Sequence, residues 1–160
     1  MNDRRTFLGL AAAAGAGVLL FGRSGRANAT LRFPVSHTDA QWRAMLGPQR
    51  YQVLREAATE PPFSSPLLKE HRRGTFVCAG CANALYSSAT KFESGTGWPS
   101  FWQVLPHAVV TRPGHSLMME RTEVLCARCG GHLGHVFNDG PKPTGLRYCM
   151  NGLALKFRPA

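Results

Sequence analysis

Apolar positions first recur at helical spacing, at Trp42 and Leu46 and then at Tyr51, Val53, Leu54 and Ala57. Thr38-Asp39-Ala40-Gln41 ahead of them has the form of a capping box, a hydroxyl followed three residues later by an amide. Gly47-Pro48 interrupts the period, so the pattern predicts two short helices, Trp42 to Leu46 and Gln49 to Ala58, that cover a core and end before Pro61-Pro62. From Gly74 the pattern changes to short β-branched and aromatic runs between Gly, Pro and Asn turns. They are Thr75–Cys78, Ala84–Tyr86, Ser100–Leu105, Ala108–Thr111, Ser116–Val124, His132–Phe137 and Leu146–Phe157. Strands spaced this way, with no helical stretch between them, predict a mainly β, antiparallel domain over residues 30–160. No linker divides that stretch, and paired CxxC units are its only internal repeat.

Residues 1–29 fit neither pattern. Arg4-Arg5 stands before the uncharged, Ala- and Gly-rich stretch Thr6 to Gly22, and Ala27-Asn28-Ala29 closes the segment. A charged start, a short apolar middle and a small-x-small end predict a twin-arginine signal cleaved after Ala29, hence a periplasmic protein that meets the membrane only during export. The alternative is a retained membrane anchor, because the uncharged stretch approaches the length of a bilayer span. Its Ala and Gly supply little transfer energy, which favours cleavage. Loss of four arginines and Asp3 takes the net charge from +10 to +7. The remaining charge is scattered, Arg72-Arg73 being its only basic pair, and this argues against a nucleic-acid partner.

Cys78-Ala-Gly-Cys81 and Cys126-Ala-Arg-Cys129 are two CxxC knuckles, each a tight turn that aims two sulfurs at one centre. Two such turns complete the tetrahedral thiolate shell that zinc prefers, and a closed shell is structural because it leaves no position for substrate. Disulfides are the alternative in an exported protein, but a pair inside CxxC makes a small strained ring suited to redox exchange. Gly80, Gly130 and Gly131 are expected where turns bring amides close to sulfur.

With four sulfurs committed, Cys149 alone remains. It is either a buried strand cysteine or a nucleophile. Arg147 and Cys149 share a strand face that Asn151 extends, and a guanidinium near sulfur favours thiolate. Gly131-His132-Leu133-Gly134-His135 adds two imidazoles suited to passing a proton near neutral pH. His37, His71, His107 and His115 read as surface residues. These features favour a reductase site over a zinc-ribbon binding module or a purely structural zinc protein.

The chain resembles the B-type methionine sulfoxide reductases. The resemblance lies in Cys78-Ala-Gly-Cys81, the Lys91 to Phe101 stretch KFESGTGWPSF, the Cys126 to Phe137 stretch CARCGGHLGHVF, and the Asp139 to Asn151 stretch DGPKPTGLRYCMN. It implies two antiparallel sheets, one structural zinc held by the four cysteines, and Cys149 as nucleophile. It further implies that His132, His135 and Asn151 bind or protonate a sulfoxide oxygen and that Trp98 packs on the substrate methyl, with Arg147 and Asp139 at further site positions. The expected activity is reduction of methionine (R)-sulfoxide, mainly in oxidised proteins, through a sulfenic acid on Cys149. One departure stands out: family members often carry a resolving cysteine before the GWPSF segment, where this chain has Thr96. A thioredoxin-like protein or small thiol is therefore the expected reductant.

Overall fold

A computed structural model of the chain describes residues 31–116 and 119–160, with side chains described for 31–113 and 122–160. The predicted leader and its cleavage point lie outside these residues. Among them, no helix is long and apolar enough to cross a membrane.

The capping box forms as expected. Thr38 Oγ1 accepts from the Gln41 amide at 3.2 Å, and Gln41 Oε1 accepts from the Thr38 amide at 2.9 Å. These bonds start helix α1 (Asp39–Glu56), whose backbone leaves helical geometry at Gly47 (φ 68°, ψ 172°) before Pro48 restarts it. The two predicted helices are thus the two arms of one broken element. It ends at Glu56 rather than Ala58, because Ala57 turns left-handed and its amide bonds back to the Gln52 carbonyl. Trp42, Tyr51, Val53 and Leu54 are its buried face.

The rest of the described chain forms two antiparallel sheets. Strands β1 (Gly74–Cys78), β2 (Ala84–Ser87) and β9 (Leu155–Pro159) make a three-stranded sheet in the order β2-β1-β9. The other is six-stranded, in the order β3-β4-β8-β7-β6-β5. Its strands are β3 (Lys91–Phe92), β4 (Ser100–Phe101), β5 (Val109–Ser116), β6 (Met119–Cys126), β7 (His132–Phe137) and β8 (Arg147–Met150). Both sheets feed one core, in which Tyr86 of β2 stacks on Phe101 of β4 at 4.3 Å and Phe76 of β1 meets the same ring edge-on at 4.9 Å. Met150 and Leu155, on either side of the crossing between sheets, are also fully buried.

Several strand assignments differ from the sequence pattern: Ala108–Thr111 becomes the longer Val109–Ser116, and Ser116–Val124 shifts to Met119–Cys126. The run Ser100–Leu105 pairs only to Phe101, and Lys91–Phe92 forms a short strand that the pattern omits. The run Leu146–Phe157 is two strands in different sheets, joined by a single helical turn at Gly152–Ala154. Its cause lies about ninety residues upstream: the buried Glu60 carboxylate accepts the Gly152 amide at 2.5 Å and the Leu153 amide at 2.8 Å, taking both donors away from any sheet.

Replacing Thr38 by Ala removes the acceptor for the Gln41 amide and should cost about 1 kcal/mol of stability. Urea denaturation of the two proteins is the measurement, and an unchanged midpoint would mean the cap contributes nothing.

Candidate active site and metal centre

The four knuckle cysteines converge. Their sulfurs all lie within 4.8 Å of one another, with Cys78 and Cys129 at 3.7 Å and Cys81 and Cys126 at 3.5 Å. These separations are far above a disulfide bond and near the edge of about 3.8 Å that a tetrahedron with metal–sulfur bonds of about 2.3 Å would have. The donor set therefore fits a four-thiolate metal ion. The sulfurs are close enough to be strongly coupled: hydrogen bonding to Cys126 pushes the Cys78 thiol up, while bonds from Cys129 and Cys78 draw Cys126 down.

The knuckle glycines also make room for neighbouring apolar groups. Gly130 has φ +68°, and a Cβ there would meet the Phe33 ring at 2.4 Å; at Gly131 it would meet Leu54 at 2.9 Å. The closest neighbours of these glycines are thus apolar side chains of the N-terminal segment and of α1, with the Cys129 sulfur next at 3.4 Å from Gly131. Arg55 of α1 also donates to the Cys129 carbonyl at 3.0 Å.

Register assembles a second group. Arg112 of β5 opposes Glu123 of β6, Glu123 opposes His135 of β7, His135 opposes Cys149 of β8, and Cys149 opposes Ser100 of β4. Opposed residues share a sheet face, so these five form one row across five strands. His132 joins that face through an irregularity. Residues three apart in a regular strand point to opposite faces, but β6 pairs Val124 with Gly134 and Leu125 with His132, which makes Leu133 an extra residue in β7. The bulge drives Leu133 into the core and sets the His132 and His135 rings edge to face at 5.4 Å. Gly134 is required beside it: at φ +155° a Cβ would come within 2.2 Å of the Cys149 carbonyl oxygen.

A cavity of about 200 Å³ opens over the row, lined in part by Trp98, His135, Arg147, Cys149 and Asn151. The Cys149 sulfur is partly exposed there, 3.6 Å from Thr96 Oγ1. That hydroxyl lies 2.8 Å from Ser94 Oγ, which lies 2.7 Å from the Ser100 hydroxyl. Arg147 stacks over Phe137 at 4.4 Å and grips Asp139 with two bonds of 2.8 and 2.7 Å. The guanidinium holds the Asp139 carboxyl below its ordinary range, while Asp139, and more weakly Cys149, raises Arg147.

Seven of the predicted residues fall in or around this cavity, in different layers. Cys149, His135, Trp98, Arg147 and Asn151 line it, whereas His132 is buried behind His135 and Asp139 is largely exposed beyond Arg147. Asn151 is buried and engaged: its amide oxygen accepts from the Glu60 amide at 3.0 Å and its nitrogen donates to the Leu133 carbonyl at 3.3 Å. Trp98 Nε1 donates to the Glu60 carbonyl at 3.1 Å. Glu60 therefore fixes both Trp98 and Asn151, a role that sequence reasoning missed because its partners are remote in the chain. Glu123 was missed likewise. Its carboxylate accepts from His132 Nδ1 at 2.7 Å and from Arg112.

The SelR domain family model matches residues 46–159. The chain is 52% identical over 129 residues to the "Peptide methionine sulfoxide reductase MsrB" of Leptospira interrogans serovar Lai, covering 80% of this chain and 98% of that protein. It is 57% identical over 126 residues to the protein of the same name in Bradyrhizobium diazoefficiens, covering 78% and 91%. With the one in Thiobacillus denitrificans it shares 54% identity over 123 residues, covering 76% and 93%.

The folded protein should carry one metal ion per chain, measured by elemental analysis. Stripping it with a strong chelator should release four reactive thiols and lower the melting temperature, both reversed by adding metal back. Unchanged melting of the stripped protein would overturn the structural role.

Proposed function

The chain belongs to the SelR-domain family, and we propose that it reduces methionine (R)-sulfoxide, mainly in oxidised proteins, with Cys149 as nucleophile. The observation that carries this reading is the cavity that brings the Cys149 sulfur together with His135, Trp98 and Arg147. Preference for the R epimer rests on the family resemblance alone.

A sulfoxide sulfur is electrophilic, but its oxygen leaves only when protonated. Attack by the Cys149 thiolate with transfer of one proton from His132 or His135 moves the oxygen to the cysteine, giving methionine and a sulfenic acid. Trp98 would pack on the substrate methyl, with Arg147 close to the sulfur and Asp139 and Asn151 fixing the surrounding groups. A first external thiol then condenses with the sulfenic acid, forming a mixed disulfide and water. A second thiol releases the Cys149 thiol and an oxidised disulfide. An external donor, thioredoxin-like or a small thiol, is required because Thr96 stands beside the sulfur, at 3.6 Å, where a resolving cysteine would lie, and the other four cysteines face one another.

The resident metal in this reading is zinc, which four thiolates favour and which supplies structure rather than chemistry here. The place of action is the periplasm, reached through the twin-arginine signal read in residues 1–29.

Dithiothreitol-driven turnover of the two methionine sulfoxide epimers tests the reaction. Wild type should reduce the R epimer only, and Cys149→Ser should lose that activity by at least about a thousandfold. Activity retained in the variant would favour a binding module instead. After one equivalent of substrate and no thiol, mass spectrometry should find a sulfenic acid on Cys149; an internal disulfide there would refute external recycling.

A further inference from the structure

Glu123 is a carboxylate on the row that contains Cys149, it is only 8% exposed, and the reaction above gives it no task. Burying a carboxylate is costly unless its oxygens are paired. Here the two oxygens are divided. One accepts from Arg112, whose side chain reaches solvent, and the other from His132 Nδ1 at 2.7 Å. Burial raises the Glu123 pKa, but the hydrogen bonds from Arg112 and His132 outweigh it and hold the carboxyl below its ordinary value. An ionised carboxylate can only accept, so the proton of this bond sits on Nδ1.

The other nitrogen of the ring is the telling atom. His132 Nε2 is buried, and among the described residues it is the only buried side-chain nitrogen or oxygen with no hydrogen-bond partner. A buried nitrogen left without a partner calls for an explanation, and proton exchange with the neighbouring site supplies one. The ring lies edge to face at 5.4 Å against His135, which lines the cavity. Both imidazoles owe their common face to the extra residue Leu133.

We propose that Glu123, braced by Arg112, is a positioning residue: it fixes the His132 ring with Nδ1 protonated, so that every proton His132 exchanges with the site passes through Nε2. The proposal rests on the reductase reading. It adds a three-residue chain, Arg112 to Glu123 to His132, that runs from the solvent side of β5 to the back of the cavity.

Nitrogen-15 NMR of the full, metal-loaded chain reads the proton position directly, alongside steady-state kinetics on the R sulfoxide. In wild type, His132 should carry its proton on Nδ1, with Nε2 bare when the ring is neutral. Glu123→Ala should remove that preference and lower kcat roughly 10- to 100-fold with little change in KM. Glu123→Gln, whose amide oxygen can still accept from Nδ1, should recover at least about tenfold of the loss. A Glu123→Ala protein that keeps both the Nδ1 proton and wild-type kcat would overturn the proposal. Should that variant fail to fold, Arg112→Met decides: the brace is on the surface, and its loss should weaken the Nδ1 bond and reduce kcat several-fold, whereas no change in either refutes the chain. Absence of sulfoxide reduction by wild type would strike the reductase reading instead, with the His132 spectrum still reporting on Glu123.

Discussion

Four sulfurs lie within 4.8 Å of one another where the molecule's two sheets join. Cys78 ends β1 in the three-stranded sheet and Cys126 ends β6 in the six-stranded one, while Cys81 and Cys129 come from the turns that follow. Anything that binds all four fixes β1 against β6. The N-terminal segment and α1 then close over the same point through Phe33, Leu54 and Arg55. Sheets otherwise meet through apolar packing, which is non-directional. A tetrahedral metal shell adds direction.

Direction matters because the proposed chemistry depends on register. Cys149, His135 and Glu123 belong to three adjacent strands, and they meet only because β8, β7 and β6 pair at one alignment. A slip of one residue would send each side chain to the other face. Two devices guard against it: the bulge at Leu133, and Gly134, whose missing side chain lets β8 approach. From the opposite side, Glu60 captures the amides of Gly152 and Leu153 and so ends β8 one residue after Cys149. Its backbone holds Asn151 and Trp98 in the same stroke.

Local rules made much of this readable in advance. A capping box, a Gly-Pro break and paired CxxC turns act within a few residues, and each appears where the spacing placed it. The β class, the two sheets and the grouping of Trp98, His135, Arg147, Cys149 and Asn151 follow from patterns or from family resemblance. What escaped were effects between distant segments. Period-two alternation runs through Leu146–Phe157 without a sign that Glu60 will divide it. Spacing in Gly131-His132-Leu133-Gly134-His135 places two imidazoles on opposite faces unless a bulge intervenes, and only pairing with β6 reveals the bulge. Glu123, read in the sequence, is one polar residue in an alternating strand; its burial depends on His132 and Arg112 arriving from either side.

The same geometry bears on how the proposed enzyme would be recycled. Thr96 places a hydroxyl 3.6 Å from the Cys149 sulfur, a distance at which a cysteine in its place could reach that sulfur with a small rotation. A hydroxyl cannot form that bond. It can hydrogen-bond to sulfur, and the chain through Ser94 to Ser100, whose hydroxyl also donates to the Trp98 carbonyl at 3.1 Å, ties this contact to the Trp98 wall of the cavity. An oxidised Cys149 thus faces an opening rather than an internal thiol. The opening that would admit a methionine side chain is also the route by which an external thiol would arrive. Substrate and reductant would therefore use the site in turn, each excluding the other, and the four knuckle sulfurs stay outside the exchange because they face one another.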